Sequence, residues 1–450
     1  MNIHFISIGG SAMHNLALAL HEKGDRITGS DDAIFEPSKS RLAAKGLLPE
    51  SLGWFPEKVT PEVDAIILGM HAKADNPELI KAQELGITIY SYPEFLYEHA
   101  KNKTRVVIGG SHGKTTITSM ILHVLKYHEV EVDFMVGAQL DGFDRMVHLT
   151  DQNEIIVLEG DEYLSSPIDL RPKFHLYKAN IALLSGIAWD HINVFPTFEN
   201  YVDQFRIFVD TMVKGGMMVY NVEDEVVKEV VEQTSNQIKK YPYKTPDYSI
   251  ENGATVLDTA EGEVHLEIFG KHNLQNLEGA RSICFHLGIS EEEFYEAIAD
   301  FKGDSKRLEK IAENDHTVVF KDFAHSPSKV EATTNAVKEQ YVNRKLLACL
   351  ELHTYSSLNE DFLKEYIGTL DKADEAVVFY SPHAVKIKRL KEVSEQQIAK
   401  AFKRDDLIIY TDPKAFKDYL FSRDLKDTAL LLMSSGNYGG LDFDEVQNLL

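Results

Sequence analysis

A chain of 450 residues exceeds what one hydrophobic core usually serves and is read as about three domains. Its make-up, 44% hydrophobic, 10% aromatic and 26% charged, excludes wholesale disorder, collagen and coiled coil. With 71 acidic against 47 basic residues the net charge is −24, which disfavours nucleic acid and anionic membranes as partners and requires a local basic or amide-rich site for any anionic ligand.

The apolar run Ile3 to Ile8 reads as a strand broken by Gly9-Gly10, followed by a helix through Leu16 and Leu20 that ends at Gly24. Arg26 to Asp31 makes a second strand and its turn. Asp64 to Leu68 reads as a buried strand before a helix from about Asn76. Ile87-Thr88-Ile89, the helix Pro93 to Ala100 and polar Lys101-Asn102-Lys103 close a first domain, residues 1–101.

A second unit, 102–302, opens with strand Arg105 to Ile108, a Gly-rich turn and a helix from Lys114 to about His128. Strands at Glu154 to Leu158 and Ile181 to Ile187 complete a mostly parallel pattern. Tyr241 to Phe269, rich in Pro and Gly, reads as loops and short antiparallel strands inserted in that unit. A third unit, 303–450, repeats the alternation: strands at Thr317 to Lys321, Lys345 to Leu350, Ala376 to Tyr380, Leu407 to Tyr410 and Ala429 to Met433, with a helix over Ser326 to Gln340. The expected class is α/β in three domains, with no short-period repeat.

Two cysteines, Cys284 and Cys349, exclude a disulfide framework and a Cys-based zinc site and suit a reducing compartment. The start has no basic stretch, and no apolar run approaches the ~20 residues of a membrane helix. A cytoplasmic protein is expected.

The strongest chemical signal is Gly109-Gly110-Ser111-His112-Gly113-Lys114-Thr115-Thr116 between a strand and a helix. Glycines let backbone N–H groups turn onto phosphate oxygens, the lysine meets the β/γ charge, and a hydroxyl reaches Mg²⁺. The common spacing would place its first glycine at Ile108, so the loop is a shortened variant. Metal ligands are expected at neighbouring strand ends, and Glu159, with Asp161 and Glu162 behind it, fits. Asp190-His191 ends the next apolar run. Gly9-Gly10-Ser11-Ala12-Met13 lacks G-x-G-x-x-G spacing and is a weak dinucleotide signal, which argues against a nicotinamide dehydrogenase. Gly29-Ser30-Asp31 lies about twenty residues on, where an acid often meets a ribose.

With Asn76-Pro77-Glu78, His272-Asn273-Leu274-Gln275-Asn276, Lys306-Arg307 and Asp322-Phe323-Ala324-His325-Ser326-Pro327 added in order, the whole chain resembles the Mur ligases. The resemblance implies a Rossmann-like N-terminal domain for a UDP-sugar, a central P-loop ATPase domain, and a Rossmann-like C-terminal domain for an amino acid or peptide. It implies an ATP-dependent, amide-forming ligase of UDP-N-acetylmuramate in peptidoglycan assembly or recycling, acting through an acyl phosphate. The implied catalytic groups are Lys114, Glu159 and His191. ATP would be met by Gly110 to Thr116, His272, Asn273, Asn276, Arg307 and Asp322, with Mg²⁺ on Thr115, Glu159 and His191. The UDP-sugar would meet Gly9, Gly10, Ser11, Met13, Ser30, Asp31 and Asn76, and the amine would meet His325, His353 and Asn437. The expected state is a monomer or weak homodimer.

Two branches of the family compete, one adding L-alanine and one attaching L-alanyl-γ-D-glutamyl-meso-diaminopimelate. Asp161-Glu162-Tyr163 followed by Arg171-Pro172-Lys173-Phe174, and Met433-Ser434-Ser435-Gly436-Asn437-Tyr438-Gly439-Gly440, are similar to the peptide branch. Leu352-His353-Thr354-Tyr355 is nearer the Pro-His-Arg-Tyr of the alanine branch, with Thr354 in place of its arginine. Ser7 and Ala12 replace glycines, Gly186 stands where many relatives carry Asn, and Ser326 replaces a histidine. The turn holding Ser7 and Ala12 is expected not to require positive φ. These departures motivate a rival reading, a weakly active nucleotide-sugar-binding protein on the same scaffold.

Overall fold

The computed structural model describes all residues except 141, 252, 261, 304–306, 388–390, 392 and 450, and the side chains of Ala384 and Ile387. The Lys306 half of the Lys306-Arg307 marker therefore lies outside the described residues. The chain forms two compact units. One comprises 1–187, 199–243 and 282–288; the other comprises 188–198, 244–281 and 289–450.

The first unit contains two sheets. Strands Arg26–Ser30, Asn2–Ile6, Ala65–Leu68 and Thr88–Ser91 lie side by side in that order, all parallel. Ala65–Leu68 is fully buried, as its unbroken apolar run requires when both faces are covered. The larger sheet runs Lys239–Tyr243, Met217–Asn221, Ile181–Leu184, Thr104–Gly109, Ile155–Gly160, Asp133–Met135 and Val147–His148, parallel except for the last pair. Pro242 is tolerated because its strand lies at the edge. Tyr241 to Phe269 is thus divided: its start extends this sheet, and the remainder holds the antiparallel strands Tyr248–Glu251, Ala254–Thr259 and Gly262–Leu266.

In the second unit, strands Glu309–Glu313, Thr317–Asp322, Thr428–Met433, Lys345–Leu352, Glu375–Tyr380 and Ile408–Tyr410 form a sheet, parallel except for the first. Apolar clusters fill both faces, one around Phe320, Tyr366 and Phe402 and the other around Phe379, Phe416 and Tyr438. Cys284 and Cys349 are buried free thiols, each pushed up in pKa by burial. Among the described residues no helix is long and apolar enough to cross a membrane.

Candidate active site

Thr104–Gly109 is central in the seven-stranded sheet, with Ile155–Gly160 on one side and Ile181–Leu184 on the other. The loop after it sits where neighbouring connections diverge, the usual ligand position in an open α/β sheet. Gly110 has φ +138° and Gly113 φ +79°, and a Cβ on Gly110 would lie 2.1 Å from Ser185 Oγ. Glycine is therefore required by both conformation and space. The helix Lys114–Tyr127 starts directly after, aiming its unpaired N–H groups and positive dipole end at the loop.

Lys114 Nζ donates to Gly110 O and to Glu162 Oε2, each at 2.7 Å. Thr115 Oγ1 donates to Glu159 Oε1 at 2.9 Å, and Gly137 N donates to Glu159 Oε2 at 2.8 Å. Tyr201 OH bridges Ser111 Oγ at 3.1 Å and Glu162 Oε1 at 3.2 Å. Ser185 Oγ donates to Gly109 O and His112 O, and Ser111 N donates to Gly186 O at 2.9 Å. Burial works against the Lys114 charge, but Glu162, Asp161 and Glu159 outweigh it and raise its pKa. Glu159 is raised by burial and by Asp161, over the opposing pull of Lys114, Gly137 N–H and Thr115.

The chemistry of these donors fits Mg²⁺. Thr115 and Glu159 offer only hard oxygen atoms, and Mg²⁺ ordinarily combines one or two protein oxygens with waters and phosphates. Among the described residues no group of three or more His, Cys, Asp or Glu side chains is arranged to hold a metal ion. His191, in the second unit, has φ +54°, and its backbone N–H is held by Asp190 Oδ1 at 2.7 Å.

Gly186 has no room for a side chain. A Cβ there would lie 2.3 Å from His112 Nε2, so the loop imidazole fills the space that a larger residue would take. The N-terminal turn differs from expectation. Ser7 has φ +69°, so the position does require a left-handed conformation, which serine adopts at some cost and glycine would adopt freely.

Gly9 N donates to Asp31 Oδ2 at 2.7 Å, tying the first Gly turn to the end of the adjacent strand. Burial raises the Asp31 pKa. Lys58 Nζ stands 3.4 Å from Ser30 Oγ and over the Phe55 ring. Asn76 Oδ1 caps the helix Pro77–Glu84 through Glu78 N and Leu79 N.

Within the second unit, His272, Asn273 and Asn276 share the helix Lys271–His286, and Asn273 Nδ2 donates to Phe269 O. Asp322 is buried and raised in pKa by that burial, over the opposing Arg307 charge. Arg307 lies over the Phe323 ring at 5.1 Å. His325 is lowered to about 4, chiefly by burial and by Lys329, with Asp190 acting in the opposite sense. A cavity of about 380 Å³ at the carboxyl ends of Thr317–Asp322 and Thr428–Met433 is lined by Asp322, Phe323, Ser434, Ser435 and Asn437 among others. Beside it Glu351, 2% exposed, accepts from Ser434 Oγ and Tyr438 N, with His353 Nδ1 at 3.5 Å. Thr354 Oγ1 is spent locally on Ser357 N and Ser357 Oγ.

Glu162, Ser185 and Tyr201 around the phosphate loop, and Glu351 beside the cavity of the second unit, are polar groups that sequence reading did not assign a role. Glu162 was visible in an acidic turn. Tyr201 carries no signal, because an aromatic on the amphipathic helix Phe198–Thr211 reads as core.

Three family models cover most of the chain: the Mur ligase family catalytic domain over residues 2–104, the Mur ligase middle domain over 108–284, and the Mur ligase glutamate ligase domain over 306–436. A UDP-N-acetylmuramate–L-alanine ligase of Carboxydothermus hydrogenoformans is 30% identical over 415 residues, covering 89% of this chain and 86% of that protein. The solved murein peptide ligase of Psychrobacter arcticus superposes with a TM-score of 0.67 at 21% identity, covering 100% of this chain and 98% of that one. The UDP-N-acetylmuramate:L-alanyl-γ-D-glutamyl-meso-diaminopimelate ligase of Neisseria meningitides gives a TM-score of 0.61 at 25% identity, covering 68% and 99%. With the phosphate loop and its carboxylates in place in an α/β scaffold, the chain belongs to the Mur ligase family, the ATP-dependent ligases of peptidoglycan synthesis.

Proposed function

We propose that the protein joins UDP-N-acetylmuramate to L-alanyl-γ-D-glutamyl-meso-diaminopimelate, at the cost of ATP, in peptidoglycan recycling. The ATP half of this reading is carried by Lys114 Nζ, held between Gly110 O and Glu162 at the first turn of a helix. In the reaction a carboxylate oxygen of the sugar acid attacks the γ-phosphorus and the bond to the β-phosphate oxygen breaks, leaving ADP and an acyl phosphate. The amine then attacks the acyl carbon, loses a proton, and expels phosphate to leave the amide. Lys114 and the loop amides hold the phosphates in line and neutralise charge as it moves, the main protein contribution to phosphoryl transfer. Thr115 and Glu159 would hold Mg²⁺, which when bound supplies further neutralisation of the phosphate oxygens; His191 is proposed as ligand of a second ion. Asn276, with His272 and Asn273, is assigned to the adenine, and Arg307 and Asp322 to the nucleotide. Gly9, Gly10, Ser11, Met13, Ser30, Asp31 and Asn76 are assigned to the UDP-sugar.

The peptide is favoured over free alanine by one local feature. Where the alanine branch carries arginine, Thr354 closes a turn on Ser357 and offers no cation for a small amino-acid carboxylate. His325, His353 and Asn437 are assigned to the amine side. The second reading, addition of L-alanine, is favoured by the name of the curated relative at 30% identity. Phosphate release from ATP with UDP-N-acetylmuramate, compared between L-alanine and the tripeptide and read with product mass, separates the two. Tripeptide-dependent turnover is expected, and turnover with alanine alone would overturn the recycling reading.

A further inference from the structure

Two lysines serve the acidic turn that follows the strand Ile155–Gly160, and the phosphate-loop chemistry uses only one. Lys114 takes Glu162. Lys173 Nζ lies 3.1 Å from Asp161 Oδ2 and 5.2 Å from the Tyr92 ring centroid, with its side chain 15% exposed. Its place is built rather than incidental. Lys173 N donates to Tyr163 O at 2.9 Å and Phe174 N to Asp161 O at 3.1 Å, so the backbone carrying the lysine is tied to the acidic turn on both sides. Phe174 is fully buried, stacked on Phe208 at 4.6 Å and edge-on to Phe205 at 5.4 Å. That aromatic plug fixes the stem and leaves the ammonium at the same strand end as the phosphate loop.

A carboxylate that attacks a phosphoryl group must approach a second anion, and in a site shielded from water their repulsion is only weakly screened. A protein cation beside the nucleophile lowers that repulsion, in addition to the second ion proposed at His191. Lys114 is committed to the loop carbonyl, Glu162 and the phosphates. Lys173 has three N–H donors, one of them on Asp161, and a lysine can pivot between two acceptors on its flexible stem. The geometry points to Lys173 as the group that binds the carboxylate of the sugar-acid substrate and holds its attacking oxygen beside the phosphate loop. This rests on the ligase reading above, and it gives Arg171-Pro172-Lys173-Phe174 a chemical role.

The test is a binding ratio, with turnover as a second readout. Wild type, Lys173→Met and Lys173→Gln are titrated with UDP-N-acetylmuramate and with UDP-N-acetylglucosamine, which lacks the lactyl carboxylate. Loss of one charge-assisted hydrogen bond should weaken UDP-N-acetylmuramate about 10–100-fold while leaving UDP-N-acetylglucosamine within about twofold, so the wild-type preference collapses. KM for UDP-N-acetylmuramate should rise with it, and ATP-analogue affinity should stay put. A retained preference, an equal loss for both sugars, or failure of both variants to fold would overturn the assignment to Lys173. A wild type with no preference for the acid and no acid-dependent phosphate release would instead bring down the ligase reading beneath it.

Discussion

Lys114 Nζ lies 2.7 Å from Glu162 Oε2, and Tyr201 OH lies 3.2 Å from the other oxygen of that carboxylate. The lysine proposed to bind phosphate is thus held by a counter-charge that is itself fixed from a separate helix. Lys114→Met should reduce phosphate release by at least about 10²–10³-fold, the scale of losing a preorganised charge-stabilising group. It should also cost about 3 kcal/mol of stability, because Glu162 is left buried without its cation. Glu162→Gln keeps the Gly110 carbonyl on Lys114 and a neutral partner for Tyr201, so its stability loss should be the smaller. Steady-state kinetics with urea unfolding on both variants checks this ordering. Near-normal turnover in Lys114→Met would contradict the ATP role.

The space at Gly186 is set by His112. Gly186→Ala puts a methyl carbon 2.3 Å from His112 Nε2 and 3.3 Å from Asp224 Oδ2 in a loop where Ser111 N already bonds Gly186 O. The imidazole must swing away, and overpacking of this kind costs about 1–3 kcal/mol. Expected outcomes are a lower melting temperature and a raised KM for ATP. The double variant His112→Ala/Gly186→Ala should regain much of the lost stability. Additive losses in the double-mutant cycle would show that the two residues do not compete for one space.

The phosphate loop, Glu159 and the alternation of strands and helices were legible because each rests on local pattern: an apolar run, a glycine break, and a charged residue just past a strand. The left-handed backbone of Ser7 carries no sequence signal, because nothing in a serine reports its φ of +69°. Tyr201 and Ser185 were invisible because their roles come from strands and helices brought together over 70 to 90 residues. The same holds for the short strand Asp133–Met135, whose buried Asp133 is satisfied by Lys103, His99, Thr150 and Asn153 and held down to about 2 despite burial. A lone aspartate in that segment reads as a turn residue.

His175 and His325 are both lowered to about 4 by burial, in a protein whose unfolded chain titrates histidine near 6.5. Each ring donates to a backbone carbonyl, His175 to Gln204 O and His325 to Phe323 O. Below pH 6.5 the unfolded state takes up protons that the folded state refuses. Stability is therefore intact above about pH 6.5 and falls progressively toward pH 4, by about 3 kcal/mol per histidine. Glu159, Asp31 and Asp322, whose pKa values are raised by burial, act in the opposite sense. The histidine contribution is isolated by comparing wild type with His175→Gln in urea at pH 7.5, 6, 5 and 4.5. The gap between the two should shift in favour of the variant as pH falls, and a gap independent of pH would refute the assignment.

Glu351 organises the loop after Thr428–Met433. Its Oε2 accepts from Ser434 Oγ and Tyr438 N, and a Cβ at Gly436 would lie 2.8 Å from that oxygen and 3.0 Å from His353 Nδ1. Burial raises its pKa, but His353, Ser434 and the Tyr438 amide outweigh burial and hold the carboxylate below its ordinary value. Such a charge orders Ser434 to Tyr438 and His353 together, and on the amine-side assignment proposed above it would act as a positioning residue for that side rather than as a group of the phosphate loop. Glu351→Gln retains the shape and weakens the charge-assisted bonds by about 1–2 kcal/mol, so KM for the amine substrate should rise about 5–30-fold. KM for ATP should be unchanged, and Glu351→Asp, charged but shorter, should recover part of the loss. A variant that raised KM for ATP and for the amine alike would mean that Glu351 supports the fold of its domain and carries no share of amine recognition.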